Sequence, residues 1–385
     1  MEWNWQRADW PNFTWRQSRL ARVEEQFLVG GGVYVGSVKH LDAADNDQLT
    51  VDALSVEAIT TSEIEGEILD RASVQSSIRR QLGLTADHRR VGPAEQGIAE
   101  MMVDLHRSFA DPLSDEMLFR WHRMLISGRR DLKDIGHYRT HPEPMQIVSG
   151  AVHDPAVHFE APPSADVPRE MARFIGWFNQ TAPDGAKPLP ALTRAGIAHF
   201  YFVCVHPCED GNGRIGRAIA EKALAQGLDR PTLTALAATI LAKRRTYYDA
   251  LEKSNRTNEL TNWLCWFAAV AIEAQRRAIS VVEFLINKTH LLDRMKGQLN
   301  ERQEKALVRV LREGPEGFKG GLSASNYITM TGASPATATR DLVDLAAKGA
   351  MVRTGERRYA RYQANVMLRP VADLLIDEDG HLVDT

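Results

Sequence analysis

The chain has 385 residues, of which 44% are hydrophobic, so it is long enough to bury a sizeable core and to form two or three domains. Its formal net charge of −3 argues against nucleic-acid binding by the whole surface, although a local basic module is compatible with it. The start lacks an apolar signal segment and no window reaches the ~18 apolar residues that span a bilayer, which predicts a cytoplasmic protein. Three cysteines without a CxxC pair predict buried, reduced thiols.

The N-terminal segment is unusually aromatic. Its first fifteen residues contain four tryptophans: Trp3, Trp5, Trp10 and Trp15. Such a composition is untypical of a disordered tail. We therefore expect an arm that packs on its own chain, with docking on a partner subunit as the alternative.

Helical periodicity dominates the next 250 residues. One helix is predicted over residues 49–81, ending near Gly83, and another over 92–110. Two short runs, 145–150 and 156–160, predict a β-hairpin. Further helices are expected over 167–179, 192–226 with a loop inside it, 232–257 and 260–297. The predicted fold class is therefore mainly α, with one small hairpin.

After residue 299 a smaller module follows. Helices predicted over 301–312, 323–331 and 334–348 precede strands over 350–353 and 359–363, an order typical of a winged helix-turn-helix with an α+β fold. The third helix can read DNA through residues 334–345, with arginines on the helix and wing: Arg340, Arg353, Arg357, Arg358 and Arg361. Asp341 and Asp344 on the same helix argue against this and favour a protein-contact or dimerisation role.

The most informative segment is His206–Arg217, between an apolar stretch (195–205) and a run of good helix formers (218–224). It predicts a loop that enters a helix. Its glycines also fit GxGxxG, but the surrounding pattern is helical and lacks the strands of a dinucleotide-binding unit. A P-loop is excluded because no Gly-Lys-Ser/Thr follows.

Residue chemistry in this loop favours phosphates. Backbone N–H groups around Gly211–Gly213 and the N-terminus of the following helix attract anionic oxygens. Arg214 and Arg217, three residues apart, lie on nearly the same helix face and can hold two phosphates. Asp210 is a hard oxygen ligand suited to Mg²⁺. His206 is suited to removing a proton from a hydroxyl.

The same run resembles the Fic motif, HPFx(D/E)GNGRxxR, at every position except Cys208, which replaces Phe. The resemblance implies a Fic-type helical core that transfers AMP from ATP to a protein hydroxyl with Mg²⁺. It assigns His206 as the base and Asp210 to Mg²⁺. It also assigns residues to the phosphates of ATP: Gly211, Asn212, Gly213, Arg214 and Arg217. The smaller Cys208 leaves slack beneath the loop that can lower the rate.

Two further segments resemble parts of the same family. Thr61–Gly66 resembles the inhibitory motif (S/T)xxxE(G/N), and this implies that Thr61, Glu65 and Gly66 belong to an N-terminal inhibitory helix. In that reading Glu65 pairs with Arg217 in place of the γ-phosphate. From the residues alone, Glu63, Glu65 and Glu67 also fit a solvated acidic face.

The hairpin resembles the family's flap, which aligns a target segment by strand addition through Ile147, Val148 and Ser149. Tyr247, Tyr248 and Asn255 resemble positions that contact adenine and ribose, although tyrosines at helical spacing also fit a core.

The sequence is accordingly divided into five parts: a Trp-rich arm and helical region with the inhibitory motif (1–110), a Fic catalytic core (111–275), a helical linker (276–299), a winged helix (300–368) and a tail (369–385). The predicted function is a Mg²⁺-dependent protein adenylyltransferase that modifies Tyr, Ser or Thr of a target protein and is held in check by Glu65. Self-modification and a homodimer are implied by the resemblance alone. The alternatives are removal of AMP by the same site, or a DNA-binding regulator with a Fic sensor core.

Overall fold

The computed structural model describes residues 2–151, 154–231, 234, 236–314, 318, 320–366 and 371–384. In this part of the chain the regular structure is mostly helical, and the strands form two-stranded antiparallel sheets. The chain divides into two units: residues 1–32, 47–276 and 372–385 form the first, and residues 33–46 and 277–371 form the second. None of the helices described is both long and apolar enough to span a bilayer.

The elements follow in chain order. The helices are α1 (Ala21–Val38), α2 (Ala43–Ile64), α3 (Arg71–Gln81), α4 (Pro93–Arg107), α5 (Asp115–Leu125), α6 (Val167–Gln180), α7 (Ala191–Val205), α8 (Asn212–Leu228), α9 (Leu236–Ala242), α10 (Arg244–Ser254), α11 (Thr261–Met295), α12 (Glu301–Leu311), α13 (Ala324–Thr331) and α14 (Pro335–Ala347). The strands pair as β1 (Gln146–Ala151) with β2 (Asp154–Glu160), β3 (Met351–Thr354) with β4 (Arg361–Ala364), and β5 (Leu374–Ile376) with β6 (Leu382–Asp384).

The core of the first unit is built on α7 and α8, which pack against each other. Every residue of α7 except Val203 is buried. A helix that is buried on all sides has no solvated polar face, which accounts for the mostly apolar stretch at residues 195–205. Trp263 of α11 donates its indole N–H to the Gly196 carbonyl at 2.8 Å. The loop after α7 is therefore anchored on the most enclosed helix of the unit.

The tryptophan-rich arm packs on its own chain, as its composition predicts. Trp3 is 8% exposed and lies edge to face with Phe159, with ring centroids 5.3 Å apart. The Trp5 indole donates to the Glu160 carbonyl at 2.6 Å. These contacts tie the arm to the end of β2, so the arm supports the hairpin.

The prediction of one helix over residues 49–81 is wrong. Helix α2 ends at Ile64 because Gly66 adopts a left-handed conformation with φ of +86°. Helix α3 then starts afresh, capped by the Asp70 side chain, which accepts the Ser73 N–H at 2.9 Å. The predicted helix over 232–257 is also divided: within its described residues, α9 and α10 meet at Lys243.

The second unit contains α12, α13, α14 and the β3–β4 hairpin in that order. An Asn300–Gln303 capping box starts α12, and Gly332 ends α13 with φ of +70°. Its core includes Leu307, Tyr327 and Leu342. The boundary predicted near residue 368 lies outside the described residues.

Candidate active site

His206 directly follows α7 and adopts a left-handed backbone conformation, with φ of +48°. Its ring Nδ1 lies 3.2 Å from the carbonyl oxygen of Val203. A carbonyl only accepts, so Nδ1 carries the proton and Nε2 presents a lone pair. Burial, opposed in part by this hydrogen bond, lowers the pKa of His206 to about 4. The imidazole is therefore neutral near pH 7.

Asn212 closes the loop between His206 and α8. Its side-chain oxygen accepts the Cys208 N–H at 2.9 Å, and its amide donates to the Cys208 carbonyl at 2.8 Å. The backbone N–H groups in the first turn of a helix have no partner within that helix, so those at the start of α8 can face an anion. Gly211 precedes the helix with φ of +83°, and a Cβ there would lie 2.7 Å from Leu125. The turn therefore requires glycine.

Cys208, which stands where the motif has Phe, is 5% exposed and belongs to the core of the first unit. Burial raises the pKa of its thiol to about 12, so it stays neutral. Asn212 holds both the N–H and the carbonyl of Cys208, so the backbone at this position is fixed by hydrogen bonds.

Arg217 is buried on α8 and bound by the end of α2. Its Nε donates to Thr61 Oγ1 at 2.7 Å, and its Nη2 donates to the Thr61 carbonyl at 2.8 Å and to Glu65 Oε1 at 2.8 Å. A Cβ built on Gly213 would lie 2.1 Å from Glu65 Oε1, so this carboxylate sits against the first turn of α8. Gly66 provides the left-handed turn that directly follows Glu65. The structure thus brings Thr61, Glu65 and Arg217 together.

Arg214 is bound in the same way by a second acid of this segment. Its Nη1 donates to Glu67 Oε2 at 2.6 Å, and its Nη2 lies 3.5 Å from Asp210 Oδ1. The Arg214 side chain is 7% exposed and that of Glu67 is 38% exposed. Among the described residues, buried Arg214 Nε and Arg217 Nη1 have no hydrogen-bond partner. Two buried guanidiniums with spare donors form a site for anionic oxygens.

Asp210 offers a carboxylate at the mouth of the loop. Its Oδ1 accepts the Gly211 N–H, and its Oδ2 accepts Arg129 Nη1 at 2.8 Å. Arg129 also binds Asp131 through two hydrogen bonds of 2.7 and 2.6 Å. The Asp210 and Arg129 side chains are 35% and 44% exposed, so solvent reaches the carboxylate. One accessible oxygen ligand beside an anion site fits Mg²⁺, which keeps waters and takes its other ligands from phosphates.

The hairpin presents an apolar edge. Ile147 pairs with Phe159, Val148 with Val157 and Ser149 with Ala156, with an irregularity between Ile147 and Val148. The side chains of Ile147 and Val148 are 41% and 49% exposed. Exposed apolar side chains on a two-stranded sheet are compatible with docking of a further strand.

The predicted adenine and ribose contacts occupy three different settings. Tyr247 is 2% exposed, and its hydroxyl lies 2.8 Å from His199 Nε2, which places it in the core. Tyr248 is 39% exposed, and its hydroxyl lies 3.5 Å from the carbonyl of Ile64, the last residue of α2. Asn255 ends α10 and donates to the His158 carbonyl at 3.2 Å. It therefore links α10 to the hairpin.

Three residues at the site carry no assignment from the sequence: Glu67, Arg129 and Arg139. Glu67 belongs to the acidic run at 63–67, so the sequence shows its charge but does not indicate that it binds Arg214. Arg129 and Arg139 lie in the long connection between α5 and β1, where no periodicity places them. The fold brings each of them to the motif loop or its arginines.

The site joins a neutral histidine, a helix N-terminus and two buried arginines, a set of groups that suits anionic oxygens. Residues 112–224 match the Fic/DOC family, and residues 3–84 match a domain of unknown function, DUF4172. The Fic/DOC match covers the part of the chain that contains His206 and α8, and members of that family are generally enzymes that transfer nucleotide-derived groups. The segment from Thr61 to Glu67 lies within the second match.

Solved structures share this fold at low sequence identity. A Fic family protein from Desulfovibrio desulfuricans G20 is 20% identical with a TM-score of 0.50, and the match covers 90% of this chain and 97% of that chain. A Fic domain-containing signaling protein from Bacteroides thetaiotaomicron VPI-5482 is 16% identical with a TM-score of 0.50, and that match covers 68% of this chain and 98% of the other. These likenesses concern the fold.

Proposed function

We propose that this protein transfers AMP from ATP to the hydroxyl of a Tyr, Ser or Thr side chain on a target protein. One observation carries the proposal: two buried arginines, each neutralised by a carboxylate at hydrogen-bond distance, lie on the helix that follows a neutral histidine. Guanidiniums that pair with carboxylates also pair with phosphate oxygens, so a nucleotide can take the place of the two carboxylates. The family match supports nucleotidyl transfer in general terms.

The chemistry asks the chain mainly for positioning and charge stabilisation. His206 Nε2 takes the proton of the attacking hydroxyl, whose oxygen forms a bond to the α-phosphorus. The bond from the α-phosphorus to the bridging oxygen breaks, and pyrophosphate leaves with the electron pair. The helix N-terminus, Arg214 and Arg217 meet the charge on the leaving group. The proton stays on His206 until solvent removes it.

Mg²⁺ bound at Asp210 would neutralise phosphate charge. Asp210 would hold it, and Arg129, which binds Asp210 Oδ2, has two further hydrogen bonds to Asp131. Tyr247, Tyr248 and Asn255 stay proposed contacts for adenine and ribose, with Tyr248 the most accessible of the three.

We infer that the segment after α2 restrains the reaction with two acids. Glu65 holds Arg217 and Glu67 holds Arg214, so both guanidiniums are bound before a nucleotide arrives. The family motif names only the first acid. Because Gly66 turns the chain between Glu65 and Glu67, one turn carries both carboxylates.

The test of the proposed function uses ATP labelled at the α- or the γ-phosphate, with Mg²⁺ and a cell lysate as the source of targets. We expect label on protein from the α-position only, because pyrophosphate leaves. Label from the γ-position would show phosphotransfer and contradict the proposal. Loss of AMP from a previously modified protein, without any label uptake, would show the reverse reaction instead.

A second function is favoured for the second unit, which we infer to be a winged helix whose α14 binds DNA. Residues 300–366 carry eleven Lys and Arg against seven Asp and Glu, a net charge of +4, whereas the whole chain carries −3. The two aspartates that argue against DNA are both paired. Asp341 is 7% exposed and binds Arg302 at 3.0 Å, and Asp344 accepts Gln303 at 2.8 Å.

The outward face of α14 is consequently free of unpaired acids among its described residues. It carries Ala336, Thr339, Arg340 and Val343, all exposed. Small side chains and an arginine suit close approach to base edges. In the hairpin that follows, Arg353 and Arg357 are exposed, whereas the Arg358 side chain lies outside the described residues.

We expect the full-length protein to bind duplex DNA with an affinity that falls steeply as salt rises. Fluorescence anisotropy of a labelled duplex from 50 to 200 mM salt measures this. Arg340→Ala should weaken binding, and Arg357→Ala should lower the salt slope by about 1, whereas Arg71→Ala on the first unit should change neither. Binding that does not depend on salt, or the absence of binding, would refute the proposal. The second unit would then be assigned a protein-contact role.

A further inference from the structure

Arg139 is a buried charged residue beside the motif loop. It is 1% exposed, and its guanidinium bridges two segments that the reaction needs. Its Nε donates to the His206 carbonyl at 2.8 Å, its Nη1 donates to Ser164 Oγ at 2.7 Å, and its Nη2 donates to the Pro162 carbonyl at 2.5 Å. The Arg139 backbone N–H also binds the Pro207 carbonyl at 2.9 Å.

These contacts fix the catalytic loop against the exit of the hairpin. Pro162 and Ser164 follow β2 directly, and His206 follows α7. An arginine that binds terminal carbonyls also stabilises the C-terminus of a helix, where the dipole is negative. One side chain therefore sets the distance between His206 and the strand pair that is proposed to hold the target.

The charge of Arg139 is unusual because it has no acidic partner. None of the described carboxylates forms an ion pair with it, and burial lowers the pKa of its guanidinium to about 10. A buried charge without a counter-ion is costly.

We propose that Arg139 is a positioning residue for the AMP transfer, which holds His206 in place through its carbonyl and keeps a positive charge close to it. This inference rests on the proposed function. A cation at that place disfavours an imidazolium, so it preserves the proton-accepting form. Glu65 and Asp210, the acids that face His206, act in the opposite direction and raise its pKa, whereas Arg139 lowers it.

Two variants separate position from charge, each in the Glu65→Gly background. Arg139→Lys keeps the charge and loses the forked contacts, so kcat should fall about 10- to 100-fold. The KM for ATP should change little. The acid limb of the pH profile, the range in which kcat falls as His206 becomes protonated, should stay at the same pH. Arg139→Gln should lower kcat similarly. It should also move the acid limb to higher pH, because His206 then protonates more readily.

Arg194→Gln is the matched control. Arg194 is also 1% exposed and donates to the Phe178 carbonyl at 2.9 Å, but it lies near the start of α7, away from His206. We expect it to lower the melting temperature and to leave the acid limb in place. If Arg139→Gln behaves in the same way, Arg139 is structural and the inference is wrong.

A titration that does not depend on catalysis tests the role of Arg139 separately from the proposed AMP transfer. NMR titration of histidine side chains, with His206 assigned by its loss in His206→Ala, reports the pKa of His206 directly. We expect that pKa to rise in Arg139→Gln and to stay unchanged in Arg139→Lys. If Arg139→Gln fails to fold, an unaltered kcat in Arg139→Lys overturns the inference. If no variant transfers AMP, the proposed reaction fails while this titration still decides the role of Arg139.

Discussion

Replacing Glu65 by glycine is expected to raise AMP transfer by about 10- to 100-fold. ATP must displace the Glu65 carboxylate, which lies 2.8 Å from Arg217 Nη2 and against Gly213. If the interaction between the Glu65 carboxylate and the buried Arg217 contributes roughly 1.4 to 2.8 kcal/mol, it lowers the apparent affinity for ATP by about 10- to 100-fold. The substitution does not break a helix, because α2 ends at Ile64.

Initial rates of α-label incorporation measure this, together with calorimetric ATP affinity in His206→Ala, where turnover is absent. Glu65→Gln keeps the size of the side chain and removes its charge, so it should also raise the rate. Glu63→Gln, an exposed acid in the last turn of α2, should leave the rate unchanged. Equal rates in the wild type and Glu65→Gly would show that Glu65 does not restrain the reaction.

The second acid provides a graded comparison. Glu67→Gln should raise the rate less than Glu65→Gly, by about 2- to 5-fold, because the Arg214 side chain that it binds is 7% exposed, against 1% for Arg217, and its ion pair is better screened. Since one turn carries both acids, their effects should be non-additive in the double variant. If Glu67→Gln leaves the rate of AMP transfer unchanged, Glu67 does not restrain the reaction and the inhibition is due to Glu65.

The parts of the site that could be predicted lie close together in sequence. Residues 206–217 indicate a loop before a helix because glycines, apolar flank and helix formers are contiguous. The hairpin at 146–160 follows from two short runs with a turn between them. The pairing of Glu65 with Arg217 needed the family resemblance, since 152 residues separate the two partners.

The parts that could not be predicted depend on packing between distant segments. Helix α1 contains three consecutive glycines, Gly30 to Gly32, which lower helix propensity. It is nevertheless helical, with Val23 and Phe27 fully buried. Similarly, Arg139 has no local signal, and the partners of its side chain follow it by 23 to 67 residues. Local pattern does not specify such contacts.

Replacing His206 by alanine is expected to lower AMP transfer in the Glu65→Gly background by about 10²- to 10⁴-fold, the usual contribution of a general base. Nδ1 is fixed on the Val203 carbonyl, so only Nε2 can accept the proton. Nucleotide affinity should survive, because Arg214, Arg217 and the N-terminus of α8 are untouched. A loss of rate with ATP affinity retained therefore identifies a chemical role.

The backbone of His206 requires a second variant. Its φ of +48° is less costly for Asn than for Ala, so His206→Asn removes the base with less strain on the loop. Both variants should be equally inactive, and activity in His206→Asn alone would assign the defect of His206→Ala to the loop backbone.

The pH profile tests the same role of His206. Because the pKa of His206 is about 4, the rate in Glu65→Gly should stay level from pH 8 to pH 5 and fall only below that. A rate that halves near pH 6.5, the ordinary value for histidine, would mean that the base is not the buried imidazole of His206.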